Sequence, residues 1–170
     1  MKKQSNLSRL LDYAGKYRIL TYLSWMFSAV SALLALVPFW YIWRILKEII
    51  EVAPRSENAV HVTQYGWMAV AAAIASVLVY ITGLMCSHLA AFRIATNLRL
   101  SMTNHVAVLP LGTIEQFGSG KLRRIISETA GATETYLAHQ LPDKAKAMAT
   151  IVGLLALLLI FDWRLGLLSL

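Results

Sequence analysis

The sequence predicts an all-α membrane protein whose long transmembrane helices continue beyond the bilayer into the cytoplasm. Composition is the first reason. Hydrophobic residues make up 58% and charged residues 15% of the chain, whereas soluble domains usually carry about 45–50% and 25%. Charge placement is the second. No Asp, Glu, Lys or Arg occurs from Ile19 to Trp43 or from Asn58 to Phe92, and each gap exceeds the roughly 20 apolar residues that cross the hydrocarbon layer as a helix. A Lys or Arg at mid-membrane costs about 2.5–3.5 kcal/mol, so gaps of this length carry information. Two buried helices in a soluble core would need more polar surface around them than the rest of the chain supplies.

The third reason is the alternation of basic residues. Lys2, Lys3, Arg9, Lys16 and Arg18 face Asp12 alone near the N-terminus, and Arg93, Arg99, Lys121, Arg123 and Arg124 stand against Glu115 and Glu128 after the second gap. Between the gaps, Lys47 and Arg55 meet Glu48, Glu51 and Glu57. Basic segments on alternate sides follow the positive-inside pattern. The N-terminus and residues 93–146 are expected in the cytoplasm, with 51–61 and 162–164 outside. This placement also explains the net charge of +7 without nucleic acid, which is not an expected partner.

Residues 1–16 hold an amphipathic helix, in which Leu7, Leu10, Leu11 and Ala14 form one stripe and Arg9, Asp12 and Lys16 lie off it. Such a helix beside a span lies in the interface plane. The following apolar run is too long for a signal peptide. A first span is predicted at about 17–52, with Pro38 inside it and Phe39, Trp40, Tyr41 and Trp43 as an aromatic belt at its outer end. A short polar turn follows from Ala53 to Asn58. The second helix is predicted at about 62–109, more than twice the length that hydrocarbon requires.

Leu109-Pro110-Leu111-Gly112 breaks that helix. Thr113 and Gln116 have capping-box spacing, so a short helix is expected to start at Thr113, and Gly118 and Gly120 are expected to end it and turn the chain. A third span returns over 121–161, with a kink at Pro142. A fourth is expected to begin at 164–170. Because the chain stops inside this apolar segment, it is expected to be a fragment of a longer protein.

Few residues offer chemistry. The lone Cys86 excludes an internal disulfide, and Cys86 and His88 do not share a helix face. His61, His88, His105 and His139 are scattered, and no His-x-x-x-His or Cys-x-x-Cys spacing suggests a metal. Gly118-Ser119-Gly120-Lys121 resembles part of a phosphate loop. However, Glu115 occupies the position of its first glycine and Leu122 that of its magnesium-binding hydroxyl, and no strand precedes it. No catalytic residue and no metal site are expected in this segment.

The order of elements, together with "NLRLSMTNHVAVLPLGTIEQFGSGKLRRIISET" and "FDWRLGLLSL", resembles the first part of the transmembrane domain of exporter-type ABC half-transporters. The resemblance spans essentially the whole chain and is most specific over 93–143. It implies the partial type I exporter transmembrane fold, with an elbow helix at 1–16, a partial transmembrane domain at 17–170, and the nucleotide-binding domain absent. It also implies that 111–117 is a coupling helix, with Leu111, Thr113, Ile114, Glu115, Gln116 and Phe117 meeting a nucleotide-binding domain and Gly118 and Gly120 making the turn. The family's usual aromatic–acidic pair is represented here by Ile114-Glu115, which keeps only the acid.

The intact protein would then be an ATP-hydrolysing translocase that uses ATP and magnesium. It would sit in the cytoplasmic membrane, pair with a second half-transporter as a homo- or heterodimer, and move a small molecule by alternating access. Trp25, Ser28, Ser31, Thr82 and His88 are candidate cavity-lining groups, with helix–helix packing as the other reading. "YLAHQLPD" and "AFRIATNLRL" resemble a subgroup that includes transporters of ferric siderophores; drugs, lipids and peptides are the other cargo classes. A separate reading of the residues is a non-transporting membrane scaffold, or a truncated fragment, whose helical hairpin binds a soluble partner.

Overall fold

The computed structural model describes residues 6–52 and 61–169, and these residues are helical almost throughout. The order is α1 (Asn6–Asp12), a 3-10 turn (Gly15–Tyr17), α2 (Arg18–Leu34), α3 (Val37–Val52), α4 (Val62–Ala107), α5 (Leu111–Phe117), α6 (Ser119–Thr135), a π turn (Tyr136–Gln140), α7 (Leu141–Phe161) and α8 (Trp163–Leu168). The start of the expected elbow helix, the outer turn from Ala53 to Asn58, and Leu170 lie outside the described residues.

Three stretches are long and apolar enough to cross a membrane: Gly15–Glu51, Val62–Ala107 and Ser119–Phe161. Their apolar side chains point outward. Trp67, Ile74 and Met85 on α4 and Met148, Val152 and Ile160 on α7 are all exposed, an arrangement that suits lipid far better than water.

The chain packs as two compact units, one from its start to Ser24 with Leu84–Pro142, the other from Trp25–Gly83 with Asp143–Leu170. In the first unit, Ala90, Ala91, Ile94, Ala95 and Leu98 form a buried stripe on α4. Ala130 of α6 and Leu137 and Ala138 of the π turn are buried in the same unit. Alanine on a helix face lets backbones approach closely, as membrane helices require. The expected amphipathic stripe of α1 is half realised among buried residues: Leu11 and Ala14 are buried, while Asp12 and Lys16 are exposed. Arg18 Nε donates to the Leu11 carbonyl and its guanidinium pairs with Asp12. Asn97 Nδ2 donates to the Tyr13 carbonyl at 2.9 Å, and the Arg93 guanidinium lies 5.5 Å from the Tyr17 ring centre. These contacts fasten the elbow to α4.

In the second unit, α3 and α7 share an aromatic cluster. Trp40 and Trp43 stack on Phe161 at centroid distances of 5.6 and 5.0 Å. Lys146 Nζ lies 3.8 Å from the Tyr80 ring centre, bridging α7 and α4. Asp162 separates α7 from α8, and its carboxylate accepts the Arg164 amide at 2.9 Å, satisfying a backbone donor where α8 begins.

Two departures from the sequence expectation follow from proline chemistry. The first predicted span is two helices, interrupted at Ala35 and Leu36, because Pro38 has no amide for the Leu34 carbonyl. The chain tightens there through bonds from Leu36 N to Leu33 O and from Phe39 N to Leu36 O, both 3.1 Å. At Pro142 the irregularity is a π turn just upstream: the Leu141 amide reaches back to Tyr136 O, one residue beyond the helical partner.

Candidate coupling helix

The seven-residue helix α5 is set by its two flanking residues. Pro110, at φ −57° and ψ 140°, is the N-cap, and its carbonyl accepts the Thr113 and Ile114 amides at 2.9 and 3.3 Å. This corrects the capping-box expectation. The helix starts at Leu111, and no side chain caps it. Proline already supplies the extended entry, so Thr113 lies within the helix. At the other end Gly118 adopts φ 74° and ψ 136°, a conformation accessible essentially to glycine. Its amide bonds to Ile114 O at 2.9 Å and its carbonyl accepts the Leu122 amide at 3.2 Å. Gly118 alone makes the turn; Gly120 lies inside α6, without positive φ.

The helix is two-sided. Thr113 and Ile114 are half-buried, and Leu111, Glu115, Gln116 and Phe117 are exposed. Ile114 lines a largely apolar groove of about 430 Å³ with Val106, Leu122 and Ile126, rimmed by Arg99 and Arg123. The outer face offers Leu111 at 70% and Phe117 at 48% exposure, with a carboxylate and an amide between them. Lys121 Nζ lies 5.8 Å from the Phe117 ring centre. The exposed face is thus an aliphatic–aromatic patch with one acid, the mixed composition found at protein interfaces.

Behind α5, α4 and α6 form an antiparallel hairpin. Arg99 of α4 pairs with Glu134 of α6 at 3.6 Å, and Ser87 donates to the carbonyls of Leu137 and Ala138 at 3.1 and 2.7 Å. The Ser87 bonds have no local sequence signature; only Pro142 hints that carbonyls upstream need another donor.

The phosphate-loop fragment departs from the motif in structure as well as in sequence. Ser119-Gly120-Lys121 opens α6, but the helix α5 leads into the Gly118 turn where a phosphate loop has a strand, and Glu115 and Leu122 stand where the loop needs a glycine and a hydroxyl. Among the described residues no group of three or more His, Cys, Asp or Glu could hold a metal.

The candidate cavity residues have separate environments. Ser28 and Ser31 are 0% and 2% exposed, and Ser31 Oγ donates to the Ser28 carbonyl at 2.8 Å. Both are buried on α2. Trp25 is half-buried. Thr82 is exposed and donates to Leu78 O at 2.9 Å. His88 is half-buried, and its ring faces His139 edge-on at 4.9 Å.

The model of the ABC transporter transmembrane region matches residues 20–170 of the chain. The chain is also similar to the mycobactin import ATP-binding/permease protein IrtA of Mycobacterium tuberculosis, with 32% identity over 80 residues. It is 31% identical over 80 residues to the protein of the same name from Mycolicibacterium smegmatis. In both cases the match covers 47% of this chain and 9% of the relative, so the chain spans a small part of those proteins. With an all-helical fold, three membrane-length apolar stretches and a match over most of its length, the chain belongs to the family of ABC transporter transmembrane regions.

Proposed function

We propose that this membrane part of an ABC transporter moves a ferric siderophore across the cytoplasmic membrane by alternating access, driven by nucleotide-binding domains that dock on α5. The observation that carries the docking reading is the two-sided α5: Ile114 is seated in the α4–α6 groove while Leu111, Glu115, Gln116 and Phe117 face outward. In this reading ATP and magnesium are held by the docking partner, since Glu115 and Leu122 replace the glycine and the hydroxyl that a phosphate loop needs.

The chain's own contribution is mechanical. A displacement delivered to the outer face of α5 passes through Ile114 to α4 and α6, and Gly118 and Pro110 fix the angle of the short helix. The Arg99–Glu134 pair and the Ser87 bonds make the hairpin move as one piece. Rigid-body motion of this kind underlies alternating access, and a second half-transporter supplies the opposing wall. The N-terminus and residues 93–146 lie on the cytoplasmic side, following the placement of basic charge.

The siderophore class is supported by the two relatives, which are named for mycobactin import. The test is uptake by the full transporter reconstituted in proteoliposomes. ATP-dependent movement of a ferric mycobactin-type chelate supports the reading. ATP-dependent movement of a lipid, drug or peptide with no movement of the ferric chelate overturns the substrate class.

A further inference from the structure

We propose that His88 and His139 form a two-imidazole site for a divalent transition-metal ion, which clamps α4 to the π turn. Spacing rules for metal sites do not detect this pair, because one histidine comes from the middle of α4 and the other from the π turn before α7. The fold brings their ring centres to 4.9 Å with planes at 80°.

That separation suits chelation. A metal about 2.0–2.1 Å from one nitrogen of each ring, with a bond angle between octahedral and tetrahedral, places the ring centres roughly 4.5–5.2 Å apart. Imidazole is a preferred ligand of zinc, copper and nickel. His139 is exposed and His88 half-buried, so an ion can reach the pair, and its remaining positions stay open to water.

The backbone beside each ring is pinned. Ser87, next to His88, donates to the carbonyl of Ala138, next to His139, at 2.7 Å. The Phe92 ring lies 6.0 Å from the His88 ring and limits its rotation. A pair whose backbones are already tied loses little freedom when an ion binds, which is what a preorganised site requires. An ion there would add a cross-link to the joint through which the hairpin meets α7.

The test uses the full-length, untagged protein in detergent, with Cu2+ alone and then Zn2+ alone as probes, and needs no transport assay. Electron paramagnetic resonance of one bound Cu2+ per chain should show nitrogen coordination, and His88→Gln or His139→Gln should each weaken binding by at least about tenfold. His105→Gln, outside the pair, should leave it unchanged. In the unsubstituted protein, Zn2+ should protect His88 and His139 together from carbethoxylation, read by peptide mass spectrometry, so the result does not depend on the variants folding. Absence of saturable binding, equal affinity in the His88→Gln and His139→Gln variants, or unprotected histidines in the presence of Zn2+ would overturn the site.

Discussion

The Ser87 hydroxyl is shared between the carbonyls of Ala138 and Leu137, at 2.7 and 3.1 Å, and these are the two carbonyls that an amide at residue 142 would reach, one in each helical register. In a helical register residue 142 would donate to residue 138, and in a π register to residue 137; proline can do neither. A side chain on α4 therefore repairs a backbone defect in the opposing helix. The hairpin owes part of its rigidity to this repair.

Ser87→Ala should lower stability by about 1–2 kcal/mol, because it leaves buried acceptors unsatisfied. Pro142→Ala restores an amide to the same carbonyls. The double variant should lose less than the sum of the single losses, measured by denaturant or thermal unfolding in detergent. Strict additivity would show that Ser87 and Pro142 are energetically independent.

Replacing Glu115 and Phe117 together with alanine should separate ATP use from transport. Both side chains are exposed on α5, so membrane insertion and detergent-solubilised yield should stay near those of the parent protein. Transport should fall by about tenfold or more, corresponding to roughly 1.4 kcal/mol of lost coupling. Unchanged transport and unchanged substrate-stimulated ATPase would remove α5 from the docking surface.

Gly118→Ala tests the turn. Open space surrounds the position, so the penalty arises from its backbone at φ 74° and should be about 1–3 kcal/mol. Gly120→Ala, two residues further on and inside α6 without positive φ, should be tolerated. Comparing the two by thermal unfolding and by transport separates the turn from the mere presence of glycine.

Gly153→Val tests packing in the unit that holds α3 and α7. A Cβ at Gly153 would come within 2.7 Å of Leu36 Cδ1 and 2.8 Å of Leu33 Cδ2. Both are flexible side-chain ends, so Gly153→Ala should be absorbed by small shifts, whereas the branched Val should cost about 1–3 kcal/mol through overpacking. Unfolding midpoints of the two variants would check the order.

The sequence made the helices legible because charge-free runs and basic clusters obey the bilayer, a one-dimensional constraint. It also located α5, since Pro110 and Gly118 punctuate the chain locally. What it did not show depends on partners distant in the chain. The break at Ala35–Leu36 and the π turn at Tyr136–Gln140 each answer a proline whose freed carbonyls find local or distant solutions. The Ser87 bonds and the His88–His139 pair arise only when α4 and the π turn meet. Ser28 and Ser31 are ambiguous in sequence for a related reason: a hydroxyl on an apolar helix suits either a cavity or a close contact. Thr113 lost its expected capping role because Pro110 begins the helix earlier.

The most direct measurement is the side of the membrane on which α5 lies. With Cys86→Ser to remove the lone thiol and Gln116→Cys to place one on the exposed face, a membrane-impermeant maleimide should label inverted vesicles and leave intact cells unlabelled. Labelling in intact cells would put α5 outside, beyond the reach of any ATP-driven partner.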